Sequence, residues 1–204
     1  MYETLRIVEQ IKPKYVIWEN VKNILSVRHK HNFDNYINQM NDLGYNSHYK
    51  VLNAKDYGLP QNRERVFTIS IRKDIIDNFT FPETQPLKVK LQDMLEQNVD
   101  SKYFQICNSM LEALKNNKVK EITNSEYCST ITTKQMRWNN AGLLKQNGKL
   151  RYLTPLECWR LMGFQDSDFE KAKSIPTSDT QLYKQAGNSI CVPVLVAIFN
   201  KMFL

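Results

Sequence analysis

A carboxylate at the end of an apolar run is the first residue of this sequence that is placed to do chemistry. Glu19 directly follows the apolar residues 15–18, and Asn20 comes next. An apolar run without polar alternation is typical of a parallel strand that is buried on both faces. Ligands of open α/β sheets bind just beyond the carboxyl ends of such strands. The pattern predicts that Glu19 and Asn20 face a ligand, although a carboxylate that caps the next helix fits the same letters.

Two guanidinium groups form the second candidate. Arg63 and Arg65 are two residues apart, so an extended backbone would direct both side chains to one face. Two fixed cations that converge are costly unless an anion or an acceptor-rich group binds between them. The alternative is a surface loop with ordinary charge alternation. Residues 66–71 alternate between apolar and polar, which predicts a strand directly after this pair.

The remaining candidate elements alternate between helices and strands, which indicates an α/β fold. Helical patterns cover residues 1–11 and 33–43, and strand patterns cover residues 15–18, 45–53 and 66–71. Thr154, Pro155 and Glu157 form a helix N-terminus with a capping box. Residues 184–190 are typical of a polar turn, and an apolar helix follows them to the C-terminus.

Composition and charge narrow the classes of protein that fit. The chain has 204 residues, of which 42% are hydrophobic and 24% charged, so it can bury a core in one or two domains. We identify no signal peptide and no membrane-spanning run, which predicts a cytoplasmic protein without a membrane partner. The formal charge of +7 favours a polyanion such as nucleic acid, although surplus lysine also serves solubility.

Metal and disulfide chemistry are not expected. The four cysteines are Cys107, Cys128, Cys158 and Cys191. They are widely spaced and form no CxxC unit, which predicts reduced, mostly structural thiols. His29 and His31 flank a lysine at a spacing more typical of a solvated loop than of a metal site.

Four stretches, taken in this order, resemble the C5-cytosine DNA methyltransferases. The matching residues are Glu19-Asn20-Val21; Gln61, Arg63 and Arg65; Thr154, Pro155, Glu157, Cys158, Arg160, Met162 and Gly163; and Gln185, Gly187 and Asn188. The resemblance implies part of a Rossmann-like sheet that uses S-adenosylmethionine, together with a small mixed target-recognition domain. We accordingly expect residues 1–85 to belong to the catalytic domain, 86–182 to the recognition domain, and 183–204 to return to the catalytic domain.

The resemblance also implies a reaction. A cysteine thiolate adds to C6 of a cytosine flipped out of duplex DNA, and C5 then takes the methyl group. Glu19 would hold N3 and the exocyclic amine, Arg65 would hold O2, and Arg63 would contact the site or the phosphate of the flipped nucleotide. Asn20, Val21 and Gln61 would line the base pocket.

DNA contacts are expected between the second and third matching stretches, at residues 87–150. Thr130 and Ile131 resemble the pair that enters the family's DNA-contacting loop. Lys134, Arg137 and Asn139, with Trp138 among them, could hydrogen-bond or stack on DNA, although the same letters fit an ordinary loop.

The sequence also departs from the family. None of its six glycines forms the GxG of the donor loop, and no cysteine follows a proline as the family's nucleophile does. The chain thus resembles the C-terminal part of such an enzyme, with Asn188, Ser189 and Ile190 forming only the far wall of an incomplete donor pocket. We expect it to be inactive alone and to need an N-terminal half or a second subunit with the missing elements. An uncovered sheet edge would also favour self-association.

Two other functions fit the same residues. The chain could be a non-catalytic DNA-binding remnant of the family, or a member of its tRNA-directed branch. Restored activity with a protein that carries the missing elements would separate a catalytic portion from a remnant, and the choice between duplex DNA and tRNA would identify the third case.

Overall fold

The computed structural model describes residues 1–137 and 139–204, and Trp138 lies outside this range. Its helices are α1 Tyr2–Ile11, α2 Lys30–Asp42, α3 Asn108–Lys115, α4 Pro155–Leu161, α5 Asp166–Lys173, α6 Asp179–Asn188 and α7 Val192–Phe203. Its strands are β1 Tyr15–Val21, β2 Tyr45–Asn53, β3 Gln61–Asn62, β4 Glu64–Arg72, β5 Cys128–Ser129, β6 Leu144–Gln146 and β7 Lys149–Arg151. Short 3-10 helices cover Lys22–Leu25, Ala54–Tyr57, Leu91–Met94 and Ser101–Phe104.

The chain divides into two compact units. Unit 1 comprises residues 1–53, 64–83 and 198–204, and unit 2 comprises residues 54–63 and 84–197. One change of unit falls between Arg63 and Glu64, inside the second of the four stretches. The assignment of domains at residues 85/86 and 182/183 stays a prediction.

Unit 1 is built on a three-stranded sheet in the order β1-β4-β2. The strand predictions for residues 45–53 and 66–71 are confirmed. The prediction that the first strand is parallel and buried on both faces is wrong, because β1 pairs antiparallel with β4 and only Val16 in it is buried. Within the described residues β1 has a partner on one edge only, which leaves it partly exposed.

Helices cover one face of this sheet. Val16 joins Leu5 and Val8 of α1 and Tyr36 and Met40 of α2 in one apolar cluster. Trp18 lies at the edge of the same cluster and stacks on Tyr36 with ring centroids 4.3 Å apart. Both helix predictions are confirmed, since apolar residues at helical spacing line this contact.

The opposite face of the sheet also carries deeply buried residues of β4. Phe67, Ile69 and Ile71 are at most 3% exposed. Tyr15 of β1 contacts Phe203 of α7 edge to face, with ring centroids 5.2 Å apart. Phe203 itself remains 56% exposed, so the outer side of the last turn of α7 is apolar and uncovered in this chain.

Unit 2 is held together around a buried ion pair. Arg151 and Glu157 are 1% and 0% exposed and form two hydrogen bonds of 2.8 Å. Glu157 also accepts from the backbone N–H of Thr154, and the Thr154 hydroxyl accepts from the N–H of Glu157. The predicted capping box at the start of α4 is therefore confirmed.

The C-terminal segment corrects two expectations. Residues 184–188 belong to helix α6, so the predicted turn over 184–190 is wrong for most of its length. The apolar helix after it is confirmed as α7. The segment Asp179–Phe203 is also long and apolar enough to cross a membrane by length and composition. This is weak support for a membrane location, because two separate helices make up the segment and both bury residues, such as Leu182 and Ile198.

Candidate functional site

Glu19 and Arg65 meet on one face of the unit 1 sheet. In the β1–β4 register Arg65 lies opposite Val21 and Phe67 lies opposite Glu19. Residues two apart on a strand share a face, so Glu19 and Arg65 are diagonal neighbours. Arg65 Nε lies 3.1 Å from Glu19 Oε1, and their side chains are 16% and 18% exposed. The structure thus brings together the carboxylate and one of the two arginines that the sequence singles out.

This pair offers complementary groups at one accessible place. The carboxylate accepts hydrogen bonds and takes up a proton, whereas the guanidinium only donates. Arg65 is held by a second bond, from Nη1 to the backbone oxygen of Glu64 at 2.8 Å. A planar ligand with a donor edge and a neighbouring carbonyl oxygen matches such a pair.

Asn20 and Val21 follow Glu19 at the end of β1, and only Val21 shares its face of the sheet. Asn20 is the next residue of the strand, so its side chain leaves the opposite face from Glu19. Its Oδ1 accepts from the backbone N–H of Val21 at 2.8 Å. Val21 ends β1 and is 49% exposed. Asn20 therefore shapes the end of the strand. The sequence-based expectation that Asn20 faces the same ligand as Glu19 does not fit its position on the opposite face of the sheet.

Arg63 and Gln61 belong to unit 2 and are enclosed there. Arg63 is 4% exposed and donates to the backbone oxygens of Ile131, Gly187 and Ser189. Gln61 is fully buried; its Nε2 donates to the oxygen of Leu161 at 2.8 Å, and its Oε1 accepts from the N–H of Ile131 at 2.8 Å. Both side chains therefore interact with backbone, although the family resemblance placed Gln61 in the base pocket and Arg63 at the site or on the phosphate of the flipped nucleotide.

The candidate DNA-contacting loop begins at Thr130 and Ile131, where Gln61 and Arg63 contact it. Thr130 is half-buried and its hydroxyl donates to the oxygen of Asn62, whereas the side chain of Ile131 is fully buried and faces the interior. Lys134, Arg137 and Asn139 are exposed. The exposed side chains of the loop therefore include Lys134, Arg137 and Asn139, which were predicted to meet DNA, and Met136, which is 58% exposed, while Ile131 anchors the loop from beneath.

Sequence reasoning missed the residues that close this loop. Gln135 is 1% exposed; its Nε2 donates to the oxygen of Thr132 and its Oε1 accepts from the N–H of Ala141. Asn140 donates to the oxygen of Gln135 at 2.8 Å. An amide within an otherwise exposed polar segment gives little warning that it is buried, so no sequence signal separates Gln135 from its neighbours.

The candidate donor residues lie at the end of α6. Asn188 is exposed, and Ser189 and Ile190 are half-buried. The backbone oxygen of Ser189 already accepts from Arg63 at 2.9 Å. These three side chains supply an amide, a hydroxyl and an apolar group, which suit one wall of a nucleoside pocket. They do not enclose such a pocket by themselves.

The thiols differ in exposure and acidity. Cys128, Cys158 and Cys191 are buried, and burial raises the pKa of Cys128 and Cys158. Cys107 is exposed, and the hydrogen bond from the Ser109 hydroxyl lowers its pKa. Among residues 1–137 and 139–204, no group of three or more His, Cys, Asp or Glu could hold a metal ion.

Comparison with known proteins identifies the family. The profile of the C-5 cytosine-specific DNA methylases matches residues 1–204. The chain belongs to this family. Among relatives of the methylase chain, the Type II methyltransferase M2.ScrFI of Lactococcus lactis subsp. cremoris is 42% identical over 100% of the chain and 58% of its own length. The Type II methyltransferase M.SsoII of Shigella sonnei is 36% identical over 98% of the chain and 56% of its own length.

The fold agrees with this assignment. A crystal structure of a Spodoptera frugiperda DNMT2 mutant superposes with a TM-score of 0.78, at 20% identity, over 100% of the chain and 71% of that protein. The resemblance to the C5-cytosine methyltransferases and the α/β methyltransferase fold are therefore confirmed, and the family uses S-adenosylmethionine. The methylase chain spans little more than half the length of these two curated relatives.

Proposed function

We propose that this chain supplies the base pocket and the DNA-recognition surface of a DNA (cytosine-5-)-methyltransferase. The complete enzyme would transfer the methyl group of S-adenosylmethionine to C5 of a flipped cytosine in duplex DNA, in the cytoplasm. The observation that carries this proposal is the pairing of Glu19 with Arg65 at 3.1 Å on one accessible face of the sheet.

The pair matches the chemistry of the cytosine ring. The Glu19 carboxylate would accept from the exocyclic amine and share a proton with N3, where electron density collects when a thiolate adds to C6. The Arg65 guanidinium would donate to O2 and stabilise the charge that develops on the ring. Both groups are already adjacent, so entry of the base exchanges their mutual contact for contacts with the ring. A base can reach them only after it leaves the duplex.

The exposed loop of unit 2 would provide contacts to the duplex. Lys134 and Arg137 can neutralise phosphates, and the amide of Asn139 can bond to phosphate oxygens or base edges. The formal charge of +7 supports a polyanionic partner. The positions of these side chains agree with such a surface.

S-adenosylmethionine would meet this chain at residues 188–190. When bound, it supplies the electrophilic methyl group. The side chains of Asn188, Ser189 and Ile190 fit contacts along one side of the molecule. The residues that enclose it, and the nucleophilic cysteine, would come from a second segment, because three of the four thiols are buried and none follows a proline.

The surface of unit 1 indicates where that second segment would bind. β1 has a partner on one edge only among the described residues, and Val21, Phe199 and Phe203 are each at least 43% exposed. Unpaired strand edges and apolar side chains favour association. We therefore propose an N-terminal half or a separate subunit that adds strands beside β1. Without it, the chain would associate with itself.

A complementation assay tests the proposal. The chain is mixed with a polypeptide that carries the family's glycine-rich and Pro-Cys elements, and duplex DNA is supplied with radiolabelled S-adenosylmethionine. We expect methylation of DNA by the mixture and none by either component. Glu19→Gln should abolish the restored activity, whereas Glu9→Gln, on the exposed side of α1, should not change it.

The other outcomes identify the alternatives. Turnover by the chain alone would refute the need for a second segment. DNA binding without restored activity would indicate a non-catalytic remnant, and methylation of tRNA in preference to duplex DNA would indicate the tRNA-directed branch. Light scattering that shows a monodisperse monomer at high concentration would argue against self-association.

A further inference from the structure

A short strip of unit 2, residues 61–63, holds the start of the exposed loop at residues 128–131. β3 pairs parallel with β5, with Gln61 opposite Cys128 and Asn62 opposite Ser129. Beyond the pairing, the contacts continue through side chains. The Thr130 hydroxyl donates to the oxygen of Asn62 at 2.9 Å, and the N–H of Ile131 donates to Oε1 of Gln61 at 2.8 Å. The loop thus leaves β5 along a fixed path.

Arg63 joins this loop to the end of α6. Its Nη1 donates to the oxygen of Ile131 at 3.0 Å, and its Nη2 donates to the oxygens of Gly187 and Ser189 at 3.2 and 2.9 Å. A planar guanidinium makes these contacts in a fixed fork geometry, which a lysine does not reproduce. Arg63 therefore fixes two backbone segments of unit 2 relative to each other.

Gly187 shows how closely the two segments approach. A Cβ at this position would lie 2.5 Å from the backbone carbon of Thr132 and 2.5 Å from the nitrogen of Thr133. Backbone cannot yield as a flexible side chain does, so only glycine permits this approach. The close contact and the Arg63 bonds act on the same stretch of the loop.

We propose that Gln61, Arg63 and Gly187 are positioning residues for the DNA-contacting loop at residues 130–137. They hold its base so that Lys134 and Arg137 present a preformed surface to the duplex. The inference rests on the proposed function for the assignment of DNA as the ligand, and it gives Arg63 a role away from the flipped base.

The test compares two substitutions at the half-buried Thr130. Thr130→Val keeps the shape of the side chain and removes its hydrogen bond to Asn62, whereas Thr130→Ser keeps the hydroxyl. In the absence of DNA, we expect Thr130→Val to speed amide hydrogen exchange at Ile131 and the following residues about fivefold, the change that the loss of one hydrogen bond gives. Thr130→Ser should restore the unsubstituted rate, and exchange at Ile69 of β4 should not change.

Binding to a fluorescent DNA duplex is measured in parallel. Thr130→Val should weaken binding about three- to tenfold with a melting temperature lowered by no more than a few degrees, and Thr130→Ser should bind as the unsubstituted chain does. Gly187→Ala, which forces the loop backbone away, should give a larger loss of binding and faster exchange over the same residues.

Hydrogen exchange and DNA binding test different parts of the proposal. Unchanged exchange in both Thr130→Val and Gly187→Ala would overturn the proposed positioning. Faster exchange with unchanged DNA affinity would also overturn it, because the loop would then be held without serving DNA binding. If the unsubstituted chain does not bind DNA, the proposed function fails, and the exchange data still decide whether the strip fixes the loop.

Discussion

Two arginines only two residues apart have opposite surroundings in this molecule. Arg65, in unit 1, contacts one carboxylate and keeps 16% of its side chain exposed. Arg63, in unit 2, is 4% exposed and donates to the carbonyls of residues 131, 187 and 189. The first can exchange its partner for a ligand at little cost. The second cannot, because three backbone acceptors would lose a charged donor.

The difference shows that one sequence motif can serve two purposes. A spacing of two residues predicts two guanidinium groups on one face and a common ligand. Instead, Arg63 has its acceptors in unit 2, whereas Arg65 has its carboxylate partner in unit 1. Whether an arginine is free to bind a ligand therefore depends on the hydrogen-bond acceptors around it more than on its place in the motif.

A still more enclosed arginine extends the comparison and gives the largest expected effect. Glu157→Gln would leave the Arg151 guanidinium buried without its counter-charge, and we expect a loss of about 3–5 kcal/mol in the free energy of unfolding. Urea denaturation followed by circular dichroism measures it. Glu170→Gln makes the same chemical change at an exposed position of α5 and should be nearly neutral. A cost below about 1 kcal/mol for Glu157→Gln would show that burial does not govern these arginines.

The central comparison is tested by matched alanine substitutions. Arg63→Ala should destabilise the chain by about 3 kcal/mol, because buried carbonyls lose their donor. Arg65→Ala should cost less than about 1 kcal/mol, as is usual for a partly exposed ion pair. Denaturation midpoints of the two variants, measured side by side, check the difference. Equal losses would contradict the division of roles.

For the rate of catalysis, Arg65 should matter more than Arg63, which is the reverse of their expected order for stability. In the complemented enzyme, Arg65→Ala should lower kcat about 100-fold, the usual loss when a donor to a developing negative charge is removed. Single-turnover rates with saturating donor isolate this step. Arg65→Lys, which keeps the charge, should recover part of the rate. An unchanged rate in Arg65→Ala would remove this residue from the site.

The exposed ion pair between Arg160 and Asp166 should give the smallest loss of stability among these arginines. Two hydrogen bonds from the Arg160 guanidinium hold the pKa of Asp166 below its ordinary value of 3.8. A depressed pKa in the folded state means that the pair stabilises the chain above this value and that the effect fades as the pH falls through the folded pKa. Because the aspartate is exposed, Asp166→Asn should cost only about 0.5 kcal/mol at neutral pH. Thermal unfolding at pH 7 and at about pH 3 should show a larger difference between the two proteins at the higher pH.

Local chemistry explains which elements the sequence could predict. The capping box at Thr154 depends on residues within one turn, so it was predicted correctly. The family resemblance implied that Glu19 and Arg65 hold the same ring, and the structure brings these two side chains together. The direction of β1 was wrong, since antiparallel pairing with β4 is decided by a partner 50 residues away in sequence, as Val16 opposite Ser70 and Trp18 opposite Thr68 illustrate.

Long-range hydrogen bonds explain what the sequence could not predict. Gln61 and Arg63 find their acceptors about 70 to 130 residues further along the chain. No local pattern shows that a polar side chain will be used inside the protein. The turn predicted at residues 184–190 was wrong for a related reason. Glycine and asparagine are poor helix formers in isolation, and the buried Leu182, Tyr183 and Ala186 outweigh them in α6.

The uncovered edge of β1 has a consequence for biosynthesis. Until another polypeptide covers that edge, the amide and carbonyl groups along the strand stay hydrated and ready to pair. The polypeptide that pairs with this edge first, either a complementary one or a second copy of this chain, then determines which complex forms. We therefore expect the yield of well-behaved protein to depend on the timing of synthesis, with co-translation beside a complementary polypeptide giving more than the later mixing of purified parts.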